Sequence, residues 1–470
     1  MKFDANNPWL VGIIGTVVAG IILFLLLERG QRERTKNVLI TSSNTADRLL
    51  GNNMSQDALE IYNNVLREIS EKNDPELYAH IKKNEGICYR NLAQVSNKEE
   101  YLTKSIQANE DALKIYTIKK YPTYYAMTQN NLGNAYHDLS TVRDKQRNLN
   151  KAIQSFEEAL KIRTVRDYPL DYATTQNGLG TAYRELSEVR DKEENLIKAI
   201  TAFVEALRIY TIQKYPVNVA AVQNNLGTCY TSLSEIRNKE ENLSKAIRSF
   251  EEALKIYTIE SYPIYHNLTQ NNLGTAYSLL STVRDKEKNL DMAIQSFEEA
   301  LKIYTIEKYP IDYAMTQNNL GNVYRELSGV RNKVENILKA IHAYEEVLKV
   351  FSVEKYPINY ATTQNNLGVA YLTLSDFRNK EENLTKAVQA CDEALKIYTL
   401  EKYPIDYAMS QNNLGNAYLL LSQVREKDRN LNKAGHAYEE ARKVYTTDKY
   451  PLNHADVMSK LKKVEQRRTK

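Results

Sequence analysis

Glycine and proline are scarce in this chain, 16 and 10 of 470 residues, which disfavours both a disordered chain and a turn-rich all-β fold. Cysteine is rarer still. Cys88, Cys229 and Cys391 lie far apart and share no metal-type spacing, so they make neither a disulfide framework nor a zinc site. Each reads as a small residue filling a slot in helix packing. The formal net charge is only +4, too little to argue for nucleic acid without a clustered basic face. No G-x-x-x-x-G-K-[ST] phosphate loop, H-E-x-x-H zinc helix or G-x-S-x-G elbow occurs. The six histidines are scattered through the chain, from His80 to His454. Unlike groups must converge to make an active site, and nothing here converges. The expectation is a chain that is not an enzyme, with no cofactor, no metal and no nucleic-acid partner.

One long apolar run is present. Trp9 to Leu27 carries no charge over nineteen residues, a helix of roughly 28 Å, close to the thickness of a bilayer's hydrocarbon core. Trp9, the only tryptophan, stands at one edge, where indole favours the interface. Arg29, Arg32, Arg34 and Lys36 follow the other edge. By the positive-inside rule the amino terminus faces out and everything after the run lies in the cytoplasm. A cleaved signal peptide would need small residues where Leu25, Leu26 and Leu27 stand. Gly15/Ala19 and Thr16/Gly20 place small residues four apart, a spacing that lets two membrane helices approach.

The prolines after Pro8 reveal the organisation. They fall at Pro75, Pro122, Pro169, Pro216, Pro263, Pro310, Pro357, Pro404 and Pro451, every step 47 residues, and a glycine row runs in the same register from Gly86 to Gly415. A fixed period kept over eight units is the signature of a solenoid. Each unit predicts two helices. The first starts at its proline, and Tyr125, Gln129, Leu132, Tyr136 and Leu139 form one face of it. Gly133 sits beside that face, where a missing side chain lets a neighbour come close. The second follows a polar turn in which Asp191 and Glu194 have the spacing of a capping box, with Asn195 as a competing cap. Tyrosine, with 34 copies, recurs at fixed places and reads as core. The Glu157-Glu158 and Glu251-Glu252 pairs read as solvated helix faces.

Leu132-Gly133-x-x-Tyr136, followed by Ala152, Phe156, Ala159 and Pro169, resembles the tetratricopeptide repeat. The unit here is longer than the family's 34 residues, with seven extra residues between Tyr136 and Ala152 and six around the proline. It looks like the longer variants of the family, such as those of kinesin light chains, which also carry Asn-Asn-Leu in the first helix. The resemblance implies an all-α fold: an α-solenoid, a right-handed superhelix of helix–turn–helix repeats, here preceded by one transmembrane helix. The chain then divides into a tail (1–8), the transmembrane helix (9–27), a basic juxtamembrane segment (28–36) and a degenerate helical hairpin (37–73). Eight repeats (74–450) and a capping helix with a basic tail (451–470) complete it.

A repeat sets like groups in rows, which suits extended partners. With Leu132 at the centre of the core face, Asn130 points about 160° away. The resemblance places that side in the concave, peptide-binding groove. Asn130, Asn177, Asn224, Asn271, Asn318, Asn365 and Asn412 form the row. Asparagine carries a donor and an acceptor and can pair with peptide backbone; it can equally bond between hairpins and hold the stack. A flanking row, Asn131, Asn225, Asn272, Asn319, Asn366 and Asn413, is interrupted by Gly178. Four and seven residues after the main row, the early units are polar or charged, as at His137 and Arg184. The last two offer Val369, Leu372, Leu419 and Leu420. Grouped apolar side chains on a concave face mark a partner site, unless the terminal cap covers them. The function expected is a single-pass, membrane-anchored scaffold that binds peptide segments or proteins. It touches the lipid bilayer through residues 9–27. A self-assembling structural membrane protein, forming a homo-oligomer, and a regulatory part of an enzyme complex are the alternatives.

Overall fold

A computed structural model describes residues 33–469, and all regular structure among them is helical. The proposed membrane segment, residues 9–27, lies outside the described residues; within them no helix is long and apolar enough to cross a membrane. Helix α1 covers residues 33–51 and α2 covers Ser55–Leu66. After them the 47-residue period sets every boundary. α3 (Pro75–Leu92) pairs with α4 (Lys98–Ile115), α5 (Pro122–Ser140) with α6 (Lys145–Leu160), and α7 (Pro169–Ser187) with α8 (Lys192–Leu207). α9 (Pro216–Ser234) pairs with α10 (Lys239–Leu254), α11 (Pro263–Leu280) with α12 (Lys286–Leu301), and α13 (Pro310–Ser328) with α14 (Lys333–Leu348). α15 (Pro357–Ser375) with α16 (Lys380–Leu395), α17 (Pro404–Leu421) with α18 (Lys427–Arg442), and a last single helix α19 (Pro451–Arg468) complete the series. Two compact units result, one reaching to Lys214 and one running from Tyr215.

Proline fixes each start. Tyr121, held by the following ring at φ −137° and ψ 62°, cannot be helical, and the helix begins at Pro122. The second helices start differently from the capping-box expectation. Asp191 occupies the cap position, but its side chain caps nothing; its backbone is left-handed, φ 46°. Asn97, Asp144, Asn238, Asp285, Asn332 and Asn379 share that conformation, which Asn and Asp tolerate better than other side chains. Asn195 instead turns back and donates to the carbonyl of Arg190 at 2.9 Å. The same bond recurs from Asn148 to Arg143 and from Asn430 to Arg425. The turn is therefore tied by the asparagine inside the helix, not by the residue in front of it.

Most of the glycine row lies under an aromatic ring of its own hairpin, with Asn109 in that place over Gly86. A Cβ on Gly133 would stand 2.7 Å from the Phe156 ring, and one on Gly227 would stand 2.5 Å from Phe250. Cys391 takes the place of that ring opposite Gly368. All three cysteines are buried, as small packing residues. The tyrosines prove to be more than core. Tyr125 donates to Glu158 at 2.8 Å inside its hairpin, and Tyr183 donates to Glu157 of the preceding hairpin at 2.8 Å. The Glu157-Glu158 pair, expected to be merely solvated, thus accepts from two tyrosines, and Glu251 accepts from Tyr277 at 3.0 Å. Tyr262 packs edge-on against Tyr257, as Tyr309 does against Tyr304, closing each junction between hairpins.

Within each unit a first helix touches the first helix of the next hairpin, as α5 touches α7 and α15 touches α17. The second helices make no comparable contact with one another among the described residues. The first helices therefore stand closer together and line the inner side of the stack.

Candidate functional site

The main asparagine row faces this inner side but is not free. Asn130 and Asn365 are buried, and the other five are half-buried. Asn130 Oδ1 accepts from the Thr175 hydroxyl at 3.0 Å, Asn224 Oδ1 from Thr269 at 3.2 Å, and Asn271 Oδ1 from Thr316 at 3.2 Å. Asn365 Oδ1 receives two donors, the Ser410 hydroxyl at 3.1 Å and Asn413 Nδ2 at 3.0 Å. Asn318 accepts from Asn366 Nδ2 at 3.4 Å and Asn412 from Lys460 Nζ at 3.1 Å. Each oxygen holds its helix to the first helix of the next hairpin. The flanking row supplies several of the donors. Asn365 in particular is 3% exposed with both acceptor positions of its oxygen taken, which leaves that oxygen nothing to offer a peptide N–H. Asn177 alone in the main row has a buried oxygen without a partner.

The residues four, seven and eight positions on extend along the same side. In the first unit those seven and eight positions on are charged and mutually paired. His137 lies 3.5 Å from Asp138 and 3.2 Å from Glu185. Arg90 Nε reaches the other Asp138 oxygen at 2.6 Å, and Arg184 stands 3.3 Å from Glu185. Burial alone would lower the His137 pKa, but its contacts with Asp138 and Glu185 outweigh it and push it up to about 9. The carboxyls of Asp138 and Glu185 are held below their ordinary range by the same contacts, against the upward effect of burial.

At the far end of the second unit the same positions form an open cleft of about 390 Å³ between α15, α17 and α19. Val369, Leu372, Leu419 and Leu420 line it together with Asn413 and Asn416. The structure thus brings the four expected apolar residues into one place. They are not equivalent: Leu419 is 8% exposed and packs against Val457 and Val464 of α19, while Val369, Leu372 and Leu420 stay half-open. The cap covers one leucine and leaves the rest.

The cleft's other wall was not expected. Lys460 and Lys463, within the segment read from sequence as a capping helix with a basic tail, line it. Their register was legible: Lys460 is 47 residues after Asn413, and Lys463 is 47 after Asn416. Lys460 is held by Asn412 and by Asp456 at 2.6 Å. Lys463 is exposed at the rim. Among the described residues no group of His, Cys, Asp and Glu is placed to hold a metal ion. Burial pushes the Cys88 and Cys391 thiols up to about 12, which leaves them poor nucleophiles.

The tetratricopeptide-repeat model matches residues 131–164 and 274–305. Two hairpins of the chain carry that family's signature. The match supports the tetratricopeptide reading of the repeats around them. No curated protein matches the chain. Among solved structures, the apo form of RapI is 14% identical with a TM-score of 0.49, covering 88% of this chain and 98% of its own. BtubC (BKLC) from P. vanneervenii is 20% identical with a TM-score of 0.34, covering 55% of this chain and 94% of its own. The C-terminal part of a TPR repeat-containing protein from Cytophaga hutchinsonii is 17% identical with a TM-score of 0.40, covering 66% of this chain and 95% of its own. At these values each is a likeness of general architecture.

Proposed function

We propose that the chain is a membrane-anchored protein-interaction scaffold that receives an extended segment of a partner protein in the cleft between α15, α17 and α19. One observation carries the reading: half-open Val369, Leu372 and Leu420 share that cleft with a rim lysine, Lys463. Apolar area left open beside Lys463, with Asp376 at the α15 edge of the same cleft, suits a segment whose apolar anchor is flanked by an acidic residue on the Lys463 side. The inner-side asparagines serve this function indirectly, by keeping the first helices in register. In this reading residues 9–27 fix the chain in a membrane, the basic residues after them keep the repeats on the cytoplasmic side, and the hairpins continue as the right-handed superhelix of the long-repeat variants. The test is quantitative binding to immobilised peptides bearing a leucine or phenylalanine next to either glutamate or lysine. Wild type should prefer the acidic set. Leu372→Asp with Leu420→Asp should weaken capture at least tenfold while leaving the far-ultraviolet circular dichroism and melting profile intact. Lys463→Glu should remove the acidic preference. A folded double variant that binds the same peptides as wild type overturns the site. Digestion of the repeats by protease added outside intact cells would overturn the topology.

A further inference from the structure

The first unit holds a second pocket, of about 410 Å³, where α1 crosses the start of α3 and the junction between α4 and α5. It stands out because the chain departs there from its own repeat. The residue before the proline is Asp74, where all eight later units have tyrosine. The residue after it is Glu76, where seven of the eight later units have Leu, Val or Ile. His80 stands at a position occupied elsewhere by Met, Thr, Ala, Leu or Asp. All three line the pocket. Asp74 caps α3, accepting the Leu77 N–H on Oδ1 at 3.4 Å, but capping does not account for Glu76 or His80 beside it, so the cluster asks for a reason other than stacking.

The lining points to the chemistry. Tyr116 and Tyr124 stack at 5.0 Å and Tyr121 meets Tyr116 edge-on at 5.5 Å, giving an aromatic wall. The Tyr121 hydroxyl donates to one oxygen of Glu76 and so aims that carboxylate at the wall's edge. Asp74 lies opposite, with Lys36 Nζ of α1 at 3.3 Å from its Oδ2; Lys36 is 60% exposed. Below, Asp47 takes hydrogen bonds from Tyr62 at 2.5 Å and Asn84 at 2.8 Å, and contacts His80 Nε2 at 2.8 Å. Lys83 stands 5.9 Å over the Tyr124 ring, with Asp47 opposing its charge. Ser43 also lines the pocket; it is 1% exposed and its hydroxyl has no partner. A buried hydroxyl without a bond is costly, and one facing a cavity is met by whatever fills it.

We infer that this pocket binds a basic side chain of a partner protein, an arginine above all, with its guanidinium between Glu76 and Asp74 and its stem along Ile40, Leu77 and Tyr124. A planar guanidinium matches a carboxylate fork and an aromatic face together, which a point charge does not. The Ser43 hydroxyl accepts one further N–H. Lys36 is the pocket's own cation, and the incoming group displaces it from Asp74. The site is independent of the cleft in the other unit.

The test is equilibrium dialysis of the full chain in detergent micelles against labelled N-acetyl-arginine amide, with N-acetyl-lysine amide and N-acetyl-glutamate as comparisons. Arginine should bind saturably and more tightly than lysine, and glutamate should not bind. Lys36→Ala should tighten arginine binding several-fold by removing the competitor. Glu76→Gln should weaken it at least tenfold. A merely structural role for these residues would move the melting temperature but not produce opposite effects on binding. Absence of saturable arginine binding in both wild type and Lys36→Ala, or stronger binding of glutamate than of arginine, overturns the inference. Leu372→Asp with Leu420→Asp should leave arginine binding unchanged; loss in that variant also counts against a separate site.

Discussion

The inner sides of the two units are built on one frame and end in opposite chemistry. Around α5 and α7 the frame carries Arg90, His137, Asp138, Arg184 and Glu185, which lie in ion-pair contact with one another. Around α15 and α17 it carries Val369, Leu372 and Leu420 beside Lys463, which face open space. The glycine and most of the tyrosine positions are the same in both, and asparagine staples hold both, Asn177 excepted. What differs is the set of positions four, seven and eight residues after the main asparagine. A repeat protein separates its two tasks by position: some residues hold neighbours, and others are free to vary because no neighbour needs them. A closed set of ion pairs has little left to offer a partner, and half-open apolar side chains have much.

The shared frame should break equally in both units, and this is the largest effect expected. Gly180→Leu and Gly227→Leu each drive a side chain into a ring, Phe203 or Phe250, where even a Cβ would come within 2.8 or 2.5 Å. Each should destabilise its own unit by about 1–3 kcal/mol or more. Hydrogen exchange by segment should place the damage around residues 170–210 in one variant and 216–260 in the other. Unchanged protection in either variant would mean the glycine is only tolerated.

Acidity should separate the units. The folded His137 pKa, about 9, lies above its ordinary 6.5. A raised pKa means the folded state holds the proton more tightly. The stabilisation is therefore complete below pH 6.5 and is lost as pH rises through 9, by up to about 3 kcal/mol. Urea unfolding followed by segmental exchange should show residues 122–190 weakening across that window. His137→Gln should flatten the profile. A slope of opposite sign would mean the histidine is neutral in the folded state.

The asparagine row gives a finer contrast. Removing Asn365 strands the buried Ser410 hydroxyl and the Asn413 amide, so Asn365→Ala should cost about 1–2 kcal/mol. Asn177, whose oxygen has no partner, should tolerate Ala within about 0.5 kcal/mol. Chemical denaturation midpoints of the two variants decide it, and equal losses would refute the stapling role.

Much of this was legible without coordinates. The 47-residue spacing of proline gives every first helix, because the backbone before proline cannot be helical and proline at the first turn loses nothing. The spacing also marks Val369, Leu372, Leu419 and Leu420 as one group. What the pattern left open was direction. A helical wheel puts Asn130 opposite Leu132 and calls that side solvent, but a hairpin in a stack has neighbours on three sides. The side opposite its own core faces the next first helix as much as the groove. The wheel also hid the tyrosine–glutamate bonds, since Glu157 and Tyr183 meet only after stacking. Lys460 and Lys463 were misjudged because the last helix was read by its charge and not by its register, which makes it a ninth first helix.

That register also exposes the smallest expected effect. Every second helix after α2 begins at a residue with left-handed backbone, and seven of the eight are Asn or Asp. The eighth is Glu426 in front of α18, at φ 45°. Asparagine and aspartate visit this conformation several-fold more readily than longer side chains, because a short polar side chain can bond to the local backbone. Glutamate gains nothing comparable, and its N-cap side chain makes no capping bond here. Its carboxylate does meet Arg429 at 2.9 Å, but both side chains are more than half exposed, so little is lost with that pair. Glu426→Asn should therefore stabilise the second unit by about 0.5–1 kcal/mol, and Glu426→Gly by a similar amount reduced by the entropy of a freer unfolded chain. In the first unit the reverse change, Asp191→Glu, should cost about as much. The two substitutions sharpen the comparison because they exchange one residue type between equivalent turns. If melting temperatures move in the same direction for Glu426→Asn and Asp191→Glu, the turn does not select for asparagine and aspartate, and the bond from the asparagine four residues later is enough to hold it.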